Sequence, residues 1–181
     1  MRSLLLFGMC TTALAMASPA LAESTDFAKV GDWEINRDAE NGSCMLSKFN
    51  TKGNALLITF SPFDNSTALS FLVFDGANFK DNSKQRLTIY IFAGDSDSSD
   101  LGWGAQEFSF SDPGLEDRPN ARLVSFFTED GEKLLTDLSK GKVMGAQTSA
   151  GRFVAASPLQ GSAPAIAKLR ECAYSLSPPS D

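Results

Sequence analysis

Two thiols, Cys44 and Cys172, and a scatter of acidic side chains are the residues of this 181-residue chain most capable of chemistry, and the chain contains no histidine. Without histidine neither Ser-His-Asp nor Cys-His nucleophiles can be built, the usual zinc ligand sets are depleted, and the commonest general base near neutral pH is missing. Catalysis would have to rest on carboxylates, lysine, tyrosine or serine. Asp32 with Glu34, Asp95 with Asp97, and Glu116 with Asp117 are the candidate carboxylate pairs. Glycoside hydrolysis needs carboxyls about 5 Å or about 6.5–9.5 Å apart, a separation that adjacency in sequence does not set. These pairs read as solvated loop charges, and no catalytic residue is assigned.

Asp95-Ser-Asp-Ser-Ser-Asp100 has the closely spaced oxygens that suit a hard cation, but an EF-hand loop would place glycine at Asp100 and glutamate at Gln106. It reads as a flexible, solubilising loop, and neither a metal nor a cofactor is expected. Ser139-Lys-Gly-Lys142 fits the S-x-x-K pattern at the wrong end of a helix, without a following K-T-G, and Ser149 lacks the glycine that a nucleophile elbow needs at Gln147. Trp103, between Gly102 and Gly104 beside the acidic loop, is a candidate stacking platform for a sugar or partner protein. With Asp95, Asp97 and Asp100 it makes a possible binding surface, although for Trp103 itself burial under the neighbouring loop is the preferred reading. Asn41-Gly-Ser43 and Asn65-Ser-Thr67 match glycosylation acceptors.

The amino terminus sets the compartment. Arg2, the apolar stretch Leu4 to Met16 and the small-residue site Ala20-Leu21-Ala22 read as an export signal cleaved between Ala22 and Glu23. Cys10 follows Met9, where a lipobox needs a small residue, so lipid attachment is not expected. Only Arg2 of the 16 basic and 22 acidic residues falls in the first 22 positions, leaving a chain with a formal charge of −7. That charge disfavours nucleic acid and anionic lipid. No later run is long enough for a transmembrane helix. After export into an oxidising compartment, Cys44 and Cys172 have one available disulfide between them, the alternative being two buried thiols. A redox-active pair would be closely spaced.

Short alternating runs dominate the elements that must carry these residues. Strands are expected over Val30–Asn36 and Ser43–Phe49 (a hairpin around Asp38–Gly42), Ala55–Phe60, Ala68–Phe74, Arg86–Ala93 and Ala105–Ser111. Ala68–Phe74 is apolar on both faces and reads as central, and Asp112–Asn120 as a long loop. The period then changes. Glu129–Lys140 spaces Leu134, Leu135 and Leu138 for a helix, Val143–Thr148 and Arg152–Ala156 are two more strands, and Ser162–Tyr174 is a terminal helix with Ser162 as N-cap. The fold class expected is α+β and β-rich: antiparallel sheets, sandwich-like or one bent sheet, with two helices in the C-terminal third. Residues 23–176 form one domain and 177–181 a disordered tail. A disulfide would tie the second strand to the last helix.

Gly31-Asp-Trp-Glu-Ile35, Ser43-Cys-Met-Leu46, Ser157-Pro-Leu-Gln-Gly-Ser-Ala-Pro-Ala-Ile166 and Leu169-Arg-Glu-Cys172 together resemble small uncharacterised exported proteins of alphaproteobacteria. More distantly the chain resembles the invasion-associated locus B family, with its tryptophan strand, early cysteine and closing proline, leucine and glycine segment before a helix. The resemblance implies a periplasmic or envelope-associated β-rich protein and carries over no active site. A non-catalytic exported protein that binds an envelope or host protein is therefore the leading expectation. A carboxylate-based hydrolase of cell-wall material is one alternative. A small-ligand carrier lined by Phe71, Tyr90, Phe92 and Phe108 is the other.

Overall fold

The computed structural model describes residues 24–50, 54–74, 79–94 and 101–178. The expected cleavage point at Ala22 and Glu23, the acidic residues Asp95, Asp97 and Asp100, and residues 179–181 of the expected tail lie outside the described residues.

Ten strands hydrogen-bond into one antiparallel sheet. They are β1 Thr25–Val30, β2 Trp33–Asp38, β3 Ser43–Phe49, β4 Ala55–Ser61, β5 Ser66–Val73, β6 Ser83–Phe92, β7 Gly104–Ser111, β8 Arg122–Thr128, β9 Val143–Gln147 and β10 Phe153–Pro158. Helix α1 spans Gly131–Lys140 and α2 Ser162–Tyr174. The β-rich α+β class with two C-terminal helices is thus what the chain adopts. The spatial order is β1-β2-β3-β4-β5-β8-β7-β6-β9-β10. The chain leaves β5, enters the sheet as β6, and returns through β7 and β8 to close against β5.

Three expectations are corrected. Val30–Asn36 is not one strand, because Gly31 turns the chain at φ +58° and Val30 pairs with Trp33 across a two-residue turn. Glycine at the first turn position matches the right-handed strand twist, so Thr25–Val30 forms a separate edge strand. Next, β8 has no counterpart among the expected strands, yet it pairs with β5 over seven residues and with β7 over three. Its alternation is plain once the register is known: Val124 and Phe126 are buried, while Phe127 is exposed. Lastly, Ser162 lies inside α2 rather than capping it. Gly161 holds the N-cap position and the Ser162 hydroxyl donates to the Leu138 carbonyl at 2.9 Å, pinning α2 to the end of α1.

One face of every strand points into the core. Trp33 and Ile35, Cys44 and Leu46, Ile58 and Phe60, Leu69 and Phe71, Val124 and Phe126, Phe108 and Phe110, Ile89 and Ile91, and Met144 and Ala146 form a continuous buried layer through the register. Leu134, Leu135 and Leu138 of α1 and Ile166, Leu169 and Cys172 of α2 complete it. The sheet is strongly bent around these helices. The Trp33 indole N–H donates to the Gln160 carbonyl at 3.0 Å, and Lys48 Nζ donates to the Pro158 and Gln160 carbonyls at 3.3 Å. Strands second and third in order therefore meet the exit of the tenth, which a flat sheet at ~4.8 Å per strand would hold more than ~30 Å away.

Helix α1 starts where another part of the chain caps it. Asp130 makes no side-chain cap. Instead Asn65, in the β4–β5 turn at φ +54°, accepts the Gly131 N–H on its carbonyl and the Glu132 N–H on its Oδ1, and its amide donates to the Glu129 carbonyl. The same amide is the acceptor atom of the second glycosylation motif, so a glycan there would break the cap. Asn65→Ala is expected to destabilise the protein by about 1–2 kcal/mol, measured by urea unfolding, from the lost cap and the disfavoured left-handed backbone. Asn65→Gly should recover only the backbone part.

Candidate functional site

The sulfur bridge is present: Cys44 of β3 and Cys172 of α2 are joined, and both are fully buried. A buried structural disulfide is consistent with an extracytoplasmic location. No helix among the described residues is long and apolar enough to cross a membrane.

Trp103 is not a surface platform. It is 9% exposed, its indole N–H donates to Asp137 at 3.0 Å, and its ring meets Phe126 edge-on. Lys133 Nζ sits 4.2 Å from the ring centre and 2.7 Å from the same Asp137 carboxylate. Helix α1 thus supplies both an anion for the N–H and a cation for the ring face, a use of Trp103 that its glycine neighbours do not disclose. The carrier reading is also corrected. Phe71 and Phe108 face the core, whereas Tyr90 and Phe92 alternate with the buried Ile89 and Ile91 and lie on the other face. The gap beside Phe71 has a volume of about 20 Å³, room for little more than one water.

Of the candidate carboxylates, Glu34 pairs with Lys29 at 2.7 Å and Asp117 stands 3.7 Å from Arg118, both in exposed positions. Ser139, from the S-x-x-K match, donates to the Thr136 carbonyl in the last turn of α1. No group of three or more metal-ligating side chains gathers among the described residues.

The strongest titratable cluster joins the two helices. Arg170 reaches Glu132 through Nη2 at 2.7 Å and Nε at 2.9 Å and donates to Thr136 Oγ1, while the Tyr174 hydroxyl donates to the other Glu132 oxygen at 2.9 Å. Burial pushes the Glu132 carboxyl up, but the hydrogen bonds from Arg170 and Tyr174 and the guanidinium charge outweigh it, so the group is held below the usual glutamate range. The hydrogen bond to Glu132, with burial, raises the Tyr174 phenol. Both groups stay in their neutral-pH forms, an arrangement suited to clamping helices. Because the folded Glu132 value is depressed, its contribution to stability is complete above the unfolded value near 4.5 and is lost as pH falls through the folded one. With Glu132 37% exposed, Glu132→Gln is expected to remove less than ~1 kcal/mol at neutral pH and to flatten the acid limb of a stability–pH curve.

The surface that stands out is the outer face of β3, β4, β5 and β8. Register places Ser43, Met45, Ser47 and Phe49 beside Ala55, Leu57, Thr59 and Ser61, then Ser66, Ala68, Ser70 and Leu72, then Leu123, Ser125 and Phe127. None of these side chains is charged, although charged residues resume on the flanking strands with Glu34 on β2 and Glu107 on β7. Phe49 and Phe127 are 58% and 61% exposed. Between them the Ser70 and Ser125 hydroxyls are 2.8 Å apart across the strands. Strand spacings give the face an outline about 20 Å square, roughly 400 Å²; Ser43, Ser47, Ala55, Ser66 and Ser70 are buried within it, so its exposed apolar area is carried by Phe49, Phe127 and the half-buried Met45, Leu57, Leu72 and Leu123. No sequence signal marked it, because its central pairing of β5 with β8 is non-local.

No protein-family model, curated protein or solved structure matches this chain.

Proposed function

We propose that this is an exported, non-catalytic protein of the periplasm or the exterior that acts by binding an envelope or host protein. The observation that carries this reading is the uncharged outer field of β3, β4, β5 and β8, with Phe49 and Phe127 exposed upon it. In outline such a field is at most about half of one side of a standard protein interface, which covers ~800 Å² per partner. Exposed aromatic anchors over small residues supply contact area at little entropic cost, and the disulfide and packed helices beneath hold the field in shape. The amino-terminal pattern, the buried bridge and the resemblance to small exported proteins support the compartment.

A photocrosslinking residue at Phe127, exposed to envelope extract, is expected to yield a discrete adduct that Leu72→Lys abolishes. Absence of any adduct, or turnover of peptidoglycan or generic hydrolase substrates that a single Asp or Glu replacement removes, would overturn the reading.

A further inference from the structure

Register sets out the uncharged field of β3, β4, β5 and β8 in rows that run across the strands. One row reads Phe49, Ala55, Leu72, Leu123 and another Met45, Thr59, Ala68, Phe127, so the two exposed phenylalanines stand at opposite corners. In the row between them the half-buried Leu57 stands beside the buried Ser70, a knob next to a recess. A two-fold axis parallel to the strands and midway between β4 and β5 turns this pattern onto itself in a face-to-face pair. Leu57 of each copy then meets the Ser70 recess of the other, Leu72 meets Ala55, Phe127 meets Met45 and Phe49 meets Leu123. Large side chains fall on small ones in the middle, and aromatic on aliphatic at the corners. An axis across the strands would set Leu57 on Leu57 and Ser70 on Ser70, propping the faces apart over voids. Self-complementarity of this kind is what an isologous pair requires, and packed sheets keep their strand directions within about 30°.

Charge permits a second copy here. From Glu23 onward the chain carries a formal charge of −7, so two copies repel one another overall, but the field brings no charge of its own to the contact. Asn36, beside Met45, and Ser109 and Ser111, beside Ser125 and Leu123, extend it without charge, and the flanking Glu34 is paired with Lys29 at 2.7 Å. With those flanks the outline reaches roughly 500 Å² per copy, or about 1,000 Å² for the pair, the size of a weak and transient interface. We infer that the field closes on a second copy of this chain as a weak two-fold dimer, with Leu57 seated over Ser70, which covers the field until an envelope or host protein displaces it. The inference rests on the reading of this field as a docking face and adds its regulation.

Sedimentation equilibrium of recombinant Glu23–Asp181, which holds every described residue, tests it. Between about 1 and 200 μM the mean mass is expected to rise from one copy towards two. The rise should be steeper in about 0.3 M salt than in about 0.02 M, because screening removes the repulsion between two acidic copies. Leu57→Ser and Ser70→Leu should each weaken the dimer about tenfold, since each change enters the contact twice. Combining them exchanges knob and recess and should restore most of the lost affinity. Ser70→Leu adds apolar surface, so a merely sticky face would associate more tightly. In the purified chain a photocrosslinking residue at Phe127 should join Met45 of the second copy, whereas within one sheet Met45 is three strands away, ~14 Å; this adduct decides even where a variant misfolds. Adding envelope extract should lower the Met45 adduct as the extract adduct appears. A single-copy mass at every concentration, tighter association of Ser70→Leu, a double variant no better than the singles, or a Met45 adduct indifferent to an extract that does crosslink would overturn the inference. A single-copy chain that still forms the envelope adduct overturns the dimer alone. A Met45 adduct with no envelope adduct overturns the protein-binding reading and leaves the dimer standing.

Discussion

Cys44→Ala with Cys172→Ala is expected to lower the unfolding free energy by about 2–5 kcal/mol, and the melting temperature by roughly 5–20 °C for a domain of this size. The bridge joins residues 128 apart in sequence. A loop that long places it at the upper end of the chain-entropy estimate, near ~5 kcal/mol, before any enthalpic term. It also ties α2 to β3, the same strands that receive the chain leaving β10. Both sulfurs are buried, so reductant should reach them only after the structure opens. Native protein should therefore resist thiol labelling after brief reduction, and denatured protein should release two thiols. Two thiols labelling in the native, unreduced protein would contradict the architecture.

Trp33→Ala is the second large effect, a loss of about 3–5 kcal/mol. The side chain is 1% exposed, donates to the Gln160 carbonyl and lies under the Lys48 ammonium, 5.1 Å from its ring centre. It sits where the two ends of the bent sheet meet. Its removal should leave a cavity and also strip the Gln160 carbonyl of its indole partner. Trp33→Phe keeps most of the apolar volume and isolates the hydrogen bond at about 1 kcal/mol. Amide exchange should register the difference locally: Trp33→Ala is expected to speed exchange in β10 more than in the central β5. A uniform change, or a loss below ~1 kcal/mol, would mean that the bend is held by other contacts.

The parts of the fold legible in the residues were those governed by local period. Leu134, Leu135 and Leu138 mark α1, and Ser162–Tyr174 has the bounds expected of α2. Alternation likewise placed β4, β5, β6 and β7 to within a few residues, and β5, apolar on both faces, does lie in the sheet interior. Reading failed where a turn or pairing depends on a distant partner. Gly31 divides what alternation presents as a single strand. β8 hides behind a loop because its alternation, Leu123-Val124-Ser125-Phe126-Phe127, is interrupted by apolar residues on both sides, and its place between β5 and β7 is set by the return of the chain. Burial of Trp103 was legible, but its partners were not, since Lys133 and Asp137 of α1 lie thirty and more positions away.

Composition and order of residues determined the β-rich class, the two closing helices, the availability of one sulfur bridge and the scarcity of catalytic types, because these depend on side-chain identity and on short-range periodicity. Tertiary structure alone decided which surfaces face water together. Phe49 and Phe127 come to share one uncharged face only when four strands take their register, and Tyr90, Phe92 and Phe153 come together only when β6, β9 and β10 pair. Charge and apolar area act through distance in space, which the folded register sets.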